Sequence, residues 1–196
     1  MRGADEPAPI VVGPGNKDRR QLVFGEGDVL PYAVGRRVTV LRGNGSKALS
    51  WTAPSDVTAL GSDPGLLVVA VADGTVFLWE YSPDSGWGQI DSYPGSPAAT
   101  RVFWGGLSLY AQRGDRLDNL HTESAGCSGA RALRPGERLR AASGGRIVLG
   151  TGTEFRVLPG CRGGPVTTGV ATSLALDGAR LTYALDRRVT TRFIPG

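Results

Sequence analysis

The chain is poor in the residues that usually announce chemistry. Histidine and methionine occur once each, cysteine twice, and lysine only at positions 17 and 47. Two cysteines and one histidine are too few for a zinc site, so no metal is expected. No apolar run approaches the roughly 20 residues that span a bilayer as a helix, so no transmembrane segment is expected. A Gly-x-Ser-x-Gly nucleophile elbow is absent. The stretch Gly13-x-Gly15-Asn16-Lys17 lacks the spacing and the following helix of a phosphate loop. Basic residues do not cluster into a stripe with interleaved aromatics, which argues against nucleic acid. No cofactor is expected. Residues 1–9 are polar and carry Asp5 and Glu6, unlike a signal peptide; they are expected to be a disordered N-terminal segment ahead of a single domain over residues 10–196.

Turn material is abundant. The 196 residues include 30 glycines and 13 prolines without a collagen period, which points to many short strands joined by tight turns. The net charge is +4, and with two lysines among 22 basic residues the positive charge is almost all arginine. Coding bias accounts for that most simply. A surface selective for carboxylate, phosphate or sulfate is the functional alternative, since guanidinium forms bidentate contacts with these groups.

Two kinds of break recur. The first comprises Gly25-Glu26-Gly27, Asp63-Pro64-Gly65, Gly105-Gly106, Gly144-Gly145 and Asp177-Gly178. The second lies at Gly35, Asp73-Gly74, Gly114-Asp115, Gly152 and Asp186, spaced by 39, 40, 38 and 34 residues. The residues repeat as well: Tyr32-Ala33-Val34-Gly35-Arg36-Arg37-Val38-Thr39 closely matches Tyr183-Ala184-Leu185-Asp186-Arg187-Arg188-Val189-Thr190. Each unit reads as three clear strands and a weaker fourth. In the second unit these are residues 57–60, 66–72, 75–81 and about 88–92, with Val76, Leu78 and Glu80 facing opposite to Phe77, Trp79 and Tyr81.

Units of about 40 residues with four antiparallel strands resemble the blades of a β-propeller. The expected fold is therefore all-β, a propeller of about five four-stranded blades. A sandwich or open barrel is the rival, disfavoured by the five-fold period. The fifth unit lacks an outer strand, and Ile10-Val11-Val12 has no partner in its own repeat, so this N-terminal strand is expected to close the ring. That closure resembles the one used by WD-repeat proteins, although their Gly-His and Trp-Asp signatures are absent.

Candidate site residues follow from this frame. Cys127 and Cys161 fall between the third and fourth strands of adjacent units, so a disulfide is expected, and with it an extracellular or cell-envelope location. His121 is expected in a solvated loop. Five-bladed propellers include glycoside hydrolases, and Asp18, Asp56 and Glu137 are the carboxylates that could converge on a central pit; strand starts favour such residues anyway. Trp79 and Trp104 read as core. Trp87, in a Gly-flanked loop, either folds back on its blade or stacks on sugar. Arginines recur at the hairpins between second and third strands: Arg36 and Arg37, Arg113 and Arg116, Arg187 and Arg188. Arg36, Arg116 and Arg187 are the candidates for a basic face, unless their stems merely cover strand edges. The expectation is a monomeric, non-catalytic binding propeller for an unknown protein or polysaccharide. A lectin-like propeller and a glycoside hydrolase are the alternatives.

Overall fold

The computed structural model describes residues 20–22, 29–63, 65–106, 108–122, 129–159 and 164–194. They form five separate antiparallel sheets, each a simple meander. Blade 1 comprises β1 (Arg20–Leu22), β2 (Val29–Val34), β3 (Arg37–Arg42) and β4 (Lys47–Thr52). Blade 2 comprises β5 (Val57–Asp63), β6 (Leu66–Val71), β7 (Val76–Ser82) and β8 (Gly86–Tyr93). Blade 3 holds β9 (Arg101–Trp104), β10 (Ser108–Arg113), β11 (Arg116–Thr122) and β12 (Gly129–Ala132). Blade 4 holds β13 (Arg138–Ser143), β14 (Arg146–Thr151), β15 (Glu154–Leu158) and β16 (Thr167–Val170). Blade 5 has three strands among the described residues, β17 (Ser173–Asp177), β18 (Arg180–Leu185) and β19 (Arg188–Phe193). Five separate meanders are the blades of a β-propeller, and they dispose of the sandwich and barrel alternatives. Ile10–Val12 lies outside the described residues, as do Asp18, Cys127 and Cys161. No described helix is long and apolar enough to cross a membrane.

The core lies between blades, as two-residue periodicity requires. On β6, Leu67, Val69 and Val71 turn toward blade 1, where they meet Ala33, Val38 and Val40. Val68 and Ala70, with Val76 and Leu78 of β7, turn toward blade 3 and meet Val102, Leu109 and Ala111. Ile147 and Leu149 of β14 face blade 3 beside Tyr110 and Leu117, while Val148 faces blade 5 and packs near Leu181. A blade buried on both faces therefore needs apolar residues at successive positions, which is why β6 reads Leu-Leu-Val-Val-Ala-Val. Each fully buried Val or Leu contributes about 1.5–3 kcal/mol.

Two expectations about strand limits are corrected. Trp87 lies on β8, not in a loop: Gly86, at φ 75°, tightens the hairpin and lets Trp87 pair across the sheet with Tyr81. His121 lies on β11 rather than in a solvated loop. Its ring stacks on Trp104 with centroids 5.6 Å apart, and its Nδ1 is 3.0 Å from Tyr93 Oη.

Candidate anion-binding end

One end of the array collects the hairpins between second and third strands, together with the starts of the first strands. Three of these hairpins, at Gly35, Gly114 and Gly152, have two-residue loops whose first residue is a glycine with positive φ, the pattern of a type II′ turn. Blade 5 uses Asp186 and Arg187 instead, at φ 48° and 67°.

The structure gives the sequence-derived arginines different tasks. Arg36 Nε donates to Ala53 O at 2.8 Å, fastening the blade 1 hairpin to the chain leading into blade 2. Arg116 is held by Asp118, with Nε 2.6 Å from Oδ1 and Nη2 3.0 Å from Oδ2. Arg113 is fully buried; its Nη1 donates to Gly74 O at 2.7 Å and to Pro97 O at 2.8 Å, clamping blade 3 to the blade 2 hairpin. Burial presses Arg113 below the ordinary guanidinium value, against the pull of Asp118. Arg37, Arg187 and Arg188 are exposed. Carboxylates share this end: Asp56, Asp73, Asp115, Glu154 and Asp186 are all exposed.

The proposed carboxylate set is placed in part. Asp56 stands exposed before β5. Glu137 is buried and paired bidentately with Arg156, Oε1 to Nε at 2.6 Å and Oε2 to Nη2 at 2.9 Å. Its Oε2 also accepts the Arg134 amide at 3.0 Å. Burial alone would raise the Glu137 carboxyl, but Arg156 and the Arg134 amide outweigh it and hold the value below the ordinary one. Trp87 is half-buried, its ring 5.7 Å from that of Tyr81, and it packs against the core between blades 1 and 2. No group of three His, Cys, Asp or Glu side chains placed to hold a metal occurs among the described residues.

Sequence reasoning missed a second arginine set. Arg101 begins β9, while Arg138 and Arg140 lie on β13, and the three border one cavity of about 600 Å³ with Gly150, Thr172 and Ser173. Arg140 occupies a β-bulge: Leu139 pairs with Leu149 and Ala141 with Val148, leaving Arg140 without a ladder partner. Its guanidinium reaches Gly152 O and Thr172 O, both at 3.4 Å. A Cβ on Gly150 would come within 2.7 Å of the Glu154 carbonyl oxygen and 2.6 Å of Arg140 Cδ, so the backbone crossing requires glycine and Arg140 lies over it. Burial, together with the charges of Arg138 and Arg140, lowers Arg101 from the ordinary guanidinium value. The available signal was Arg138-Leu139-Arg140 at the start of a first strand, two charges in three residues where the other first strands carry at most one.

Comparisons with known proteins support the fold. No family model matches the chain, and no curated protein matches it. Many solved structures do. BamB from Moraxella catarrhalis shares 15% identity over 89% of this chain and 60% of its own, with a TM-score of 0.60. The β-propeller domain of Myceliophteria thermophila Cps50 (Swd1) shares 17% identity over 92% and 67%, with a TM-score of 0.58. The computationally designed Ika8 protein shares 18% over 88% and 57%, also at 0.58. The chain is thus a β-propeller repeat protein, similar in architecture to WD-repeat propellers. It spans 57% to 67% of the length of these three matched structures.

Proposed function

We propose that this protein is a non-catalytic propeller that docks an acidic protein surface on the hairpin end of its blades. The observation that carries the reading is that exposed Arg37, Arg187 and Arg188 lie at the same end of their blades as the cavity arginines Arg101, Arg138 and Arg140, six arginines from four blades. Rigid blades hold such groups in fixed relative positions, so binding orders little backbone. Two observations favour a protein partner over a glycan or a glycosidic bond: Trp87 rests on Tyr81, and Glu137 gives both oxygens to Arg156.

Retention on immobilised heparin, used as a polyanion probe, tests the reading. Retention at low salt is expected to fall as salt rises, because exposed charges are screened beyond about 8 Å at physiological ionic strength. Arg36 and Arg116 hold structural contacts, so the clean variant is Arg37→Gln with Arg187→Gln and Arg188→Gln. It should elute at lower salt and melt as the parent does. No retention of the parent, or unchanged elution of the variant, overturns the reading.

A further inference from the structure

We propose that the cavity bounded by Arg101, Arg138, Arg140, Gly150, Thr172 and Ser173 is a binding site for a compact oxyanion of at least two negative charges, of the phosphate class. The site rests on the reading of the hairpin end as the working end and supplies that reading with an anchor.

The first argument is composition. Three arginines from blades 3 and 4 border one space of about 600 Å³, within the range of small-ligand pockets. No carboxylate is among the described residues bordering it. The buried carboxylate next to Arg138, Glu137, is committed to Arg156. Burial first, and then the neighbouring Arg138 and Arg140 charges, disfavour the charged form of Arg101, and like charges bordering one space are relieved by a polyanion.

The second argument compares two blades. The bulge of β13 that carries Arg140 has an equivalent in β5, where Val57 pairs with Val71 and Ala59 with Ala70, leaving Thr58 at the bulge. Thr58 Oγ1 donates to Ala99 O at 2.7 Å, joining its blade to the chain leading into the next. Arg140 makes the corresponding link to Thr172 O only at 3.4 Å. A threonine hydroxyl therefore makes the shorter blade-to-blade contact at this position. Arginine there brings five donors in a planar fork, more than its two carbonyl contacts use. The exposed Ser173 hydroxyl adds a further donor at the rim.

Calorimetric titration with inorganic pyrophosphate at low salt tests the site, with sodium acetate as the monovalent control. The parent should bind pyrophosphate and not acetate. Arg101→Gln, which removes no described hydrogen bond, should weaken binding about tenfold, the scale of one charge-assisted contact. Arg140→Lys should weaken it several-fold, because an ammonium keeps the charge and loses the fork. The Arg187→Gln, Arg188→Gln variant should bind pyrophosphate as the parent does while eluting from heparin at lower salt, which separates the cavity from the hairpins. A phosphoserine peptide that binds as well as pyrophosphate would identify a phosphate carried by a partner; binding of free pyrophosphate alone would identify a small molecule. Absence of pyrophosphate binding by the parent, or equal affinity in Arg101→Gln and Arg140→Lys, overturns the proposal even where heparin retention stands.

Discussion

Blades 1 and 5 share nearly the same hairpin sequence and meet opposite fates. Val38 of β3 is 0% exposed, while its repeat equivalent Val189 on β19 is 71% exposed. Val40 is likewise buried, and its counterpart is an exposed threonine, Thr191. The strands pair alike: Ala33 lies opposite Val38, and Ala184 opposite Val189. The difference lies in what comes next. Leu67, Val69 and Val71 of blade 2 cover the blade 1 face, and no described strand covers the far face of blade 5. That face is also more polar, with Thr182 Oγ1 3.0 Å from Thr191 Oγ1 and Arg180 Cζ 5.9 Å from the Phe193 ring centroid. Local sequence specifies a hairpin, whereas burial is supplied by the neighbouring repeat, as in other repeat architectures.

The largest expected effect separates doubly covered blades from the exposed one. Glu137, where the chain enters blade 4, forms an ion pair that solvent scarcely reaches, with side-chain exposures of 3% for Glu137 and 11% for Arg156. Glu137→Ala would strand Arg156 and should cost about 3–5 kcal/mol, read from urea unfolding. The pair also sets a pH dependence. The folded-state carboxyl lies below the ordinary 4.5, so its stabilisation is complete above that value. It is lost as pH falls through the lower folded-state value. Glu137→Ala should therefore flatten the acid limb of the stability curve. An unchanged limb would show that Glu137 does not carry it.

A matched pair of truncations addresses the two hairpins directly. Val38→Ala should cost about 2 kcal/mol, since it removes two buried methyl groups between packed blades. Val189→Ala should change stability by less than about 0.5 kcal/mol, as exposed substitutions do. Equal costs would break the comparison by showing that the blade 5 face is covered in solution. If deleting residues 1–13 then abolished the Val189→Ala cost, the cover would be the Ile10–Val12 strand proposed to close the ring.

The architecture was legible because glycine turns and period-two patterning are local. The opposed faces of β7 fall as alternation requires, Val76 and Leu78 toward blade 3 and Trp79 toward blade 1. The site was legible only in outline. The hairpin arginines could be counted, but their partners were invisible: Asp118 lies two residues from Arg116, on the same strand, while Ala53 is brought to Arg36 by the path into blade 2. Arg101 and Arg140, far apart in sequence, share a cavity only because the first strands of neighbouring blades lie side by side and a bulge re-aims Arg140.

The smallest effect concerns the turns themselves. Blade 1 turns on Gly35, which takes positive φ freely, whereas blade 5 places Asp186 and Arg187 both at positive φ. That is the pattern of a type I′ hairpin, in which Asp followed by Gly is the favoured pair. Aspartate tolerates the left-handed region; arginine there costs roughly 1–2 kcal/mol. Part of the gain from glycine is offset by the added freedom of the unfolded chain, about 0.4–1 kcal/mol. Arg187→Gly should thus stabilise the protein by about 0.5–1 kcal/mol, visible as a small rise in melting temperature. The same change removes an exposed charge from the hairpin end, so heparin elution should move to lower salt as stability rises. Opposite movement of the two readouts would mark Arg187 as a residue kept for its charge at a conformational cost. A variant no more stable than the parent would mean that the blade 5 turn carries no strain beyond that of blade 1.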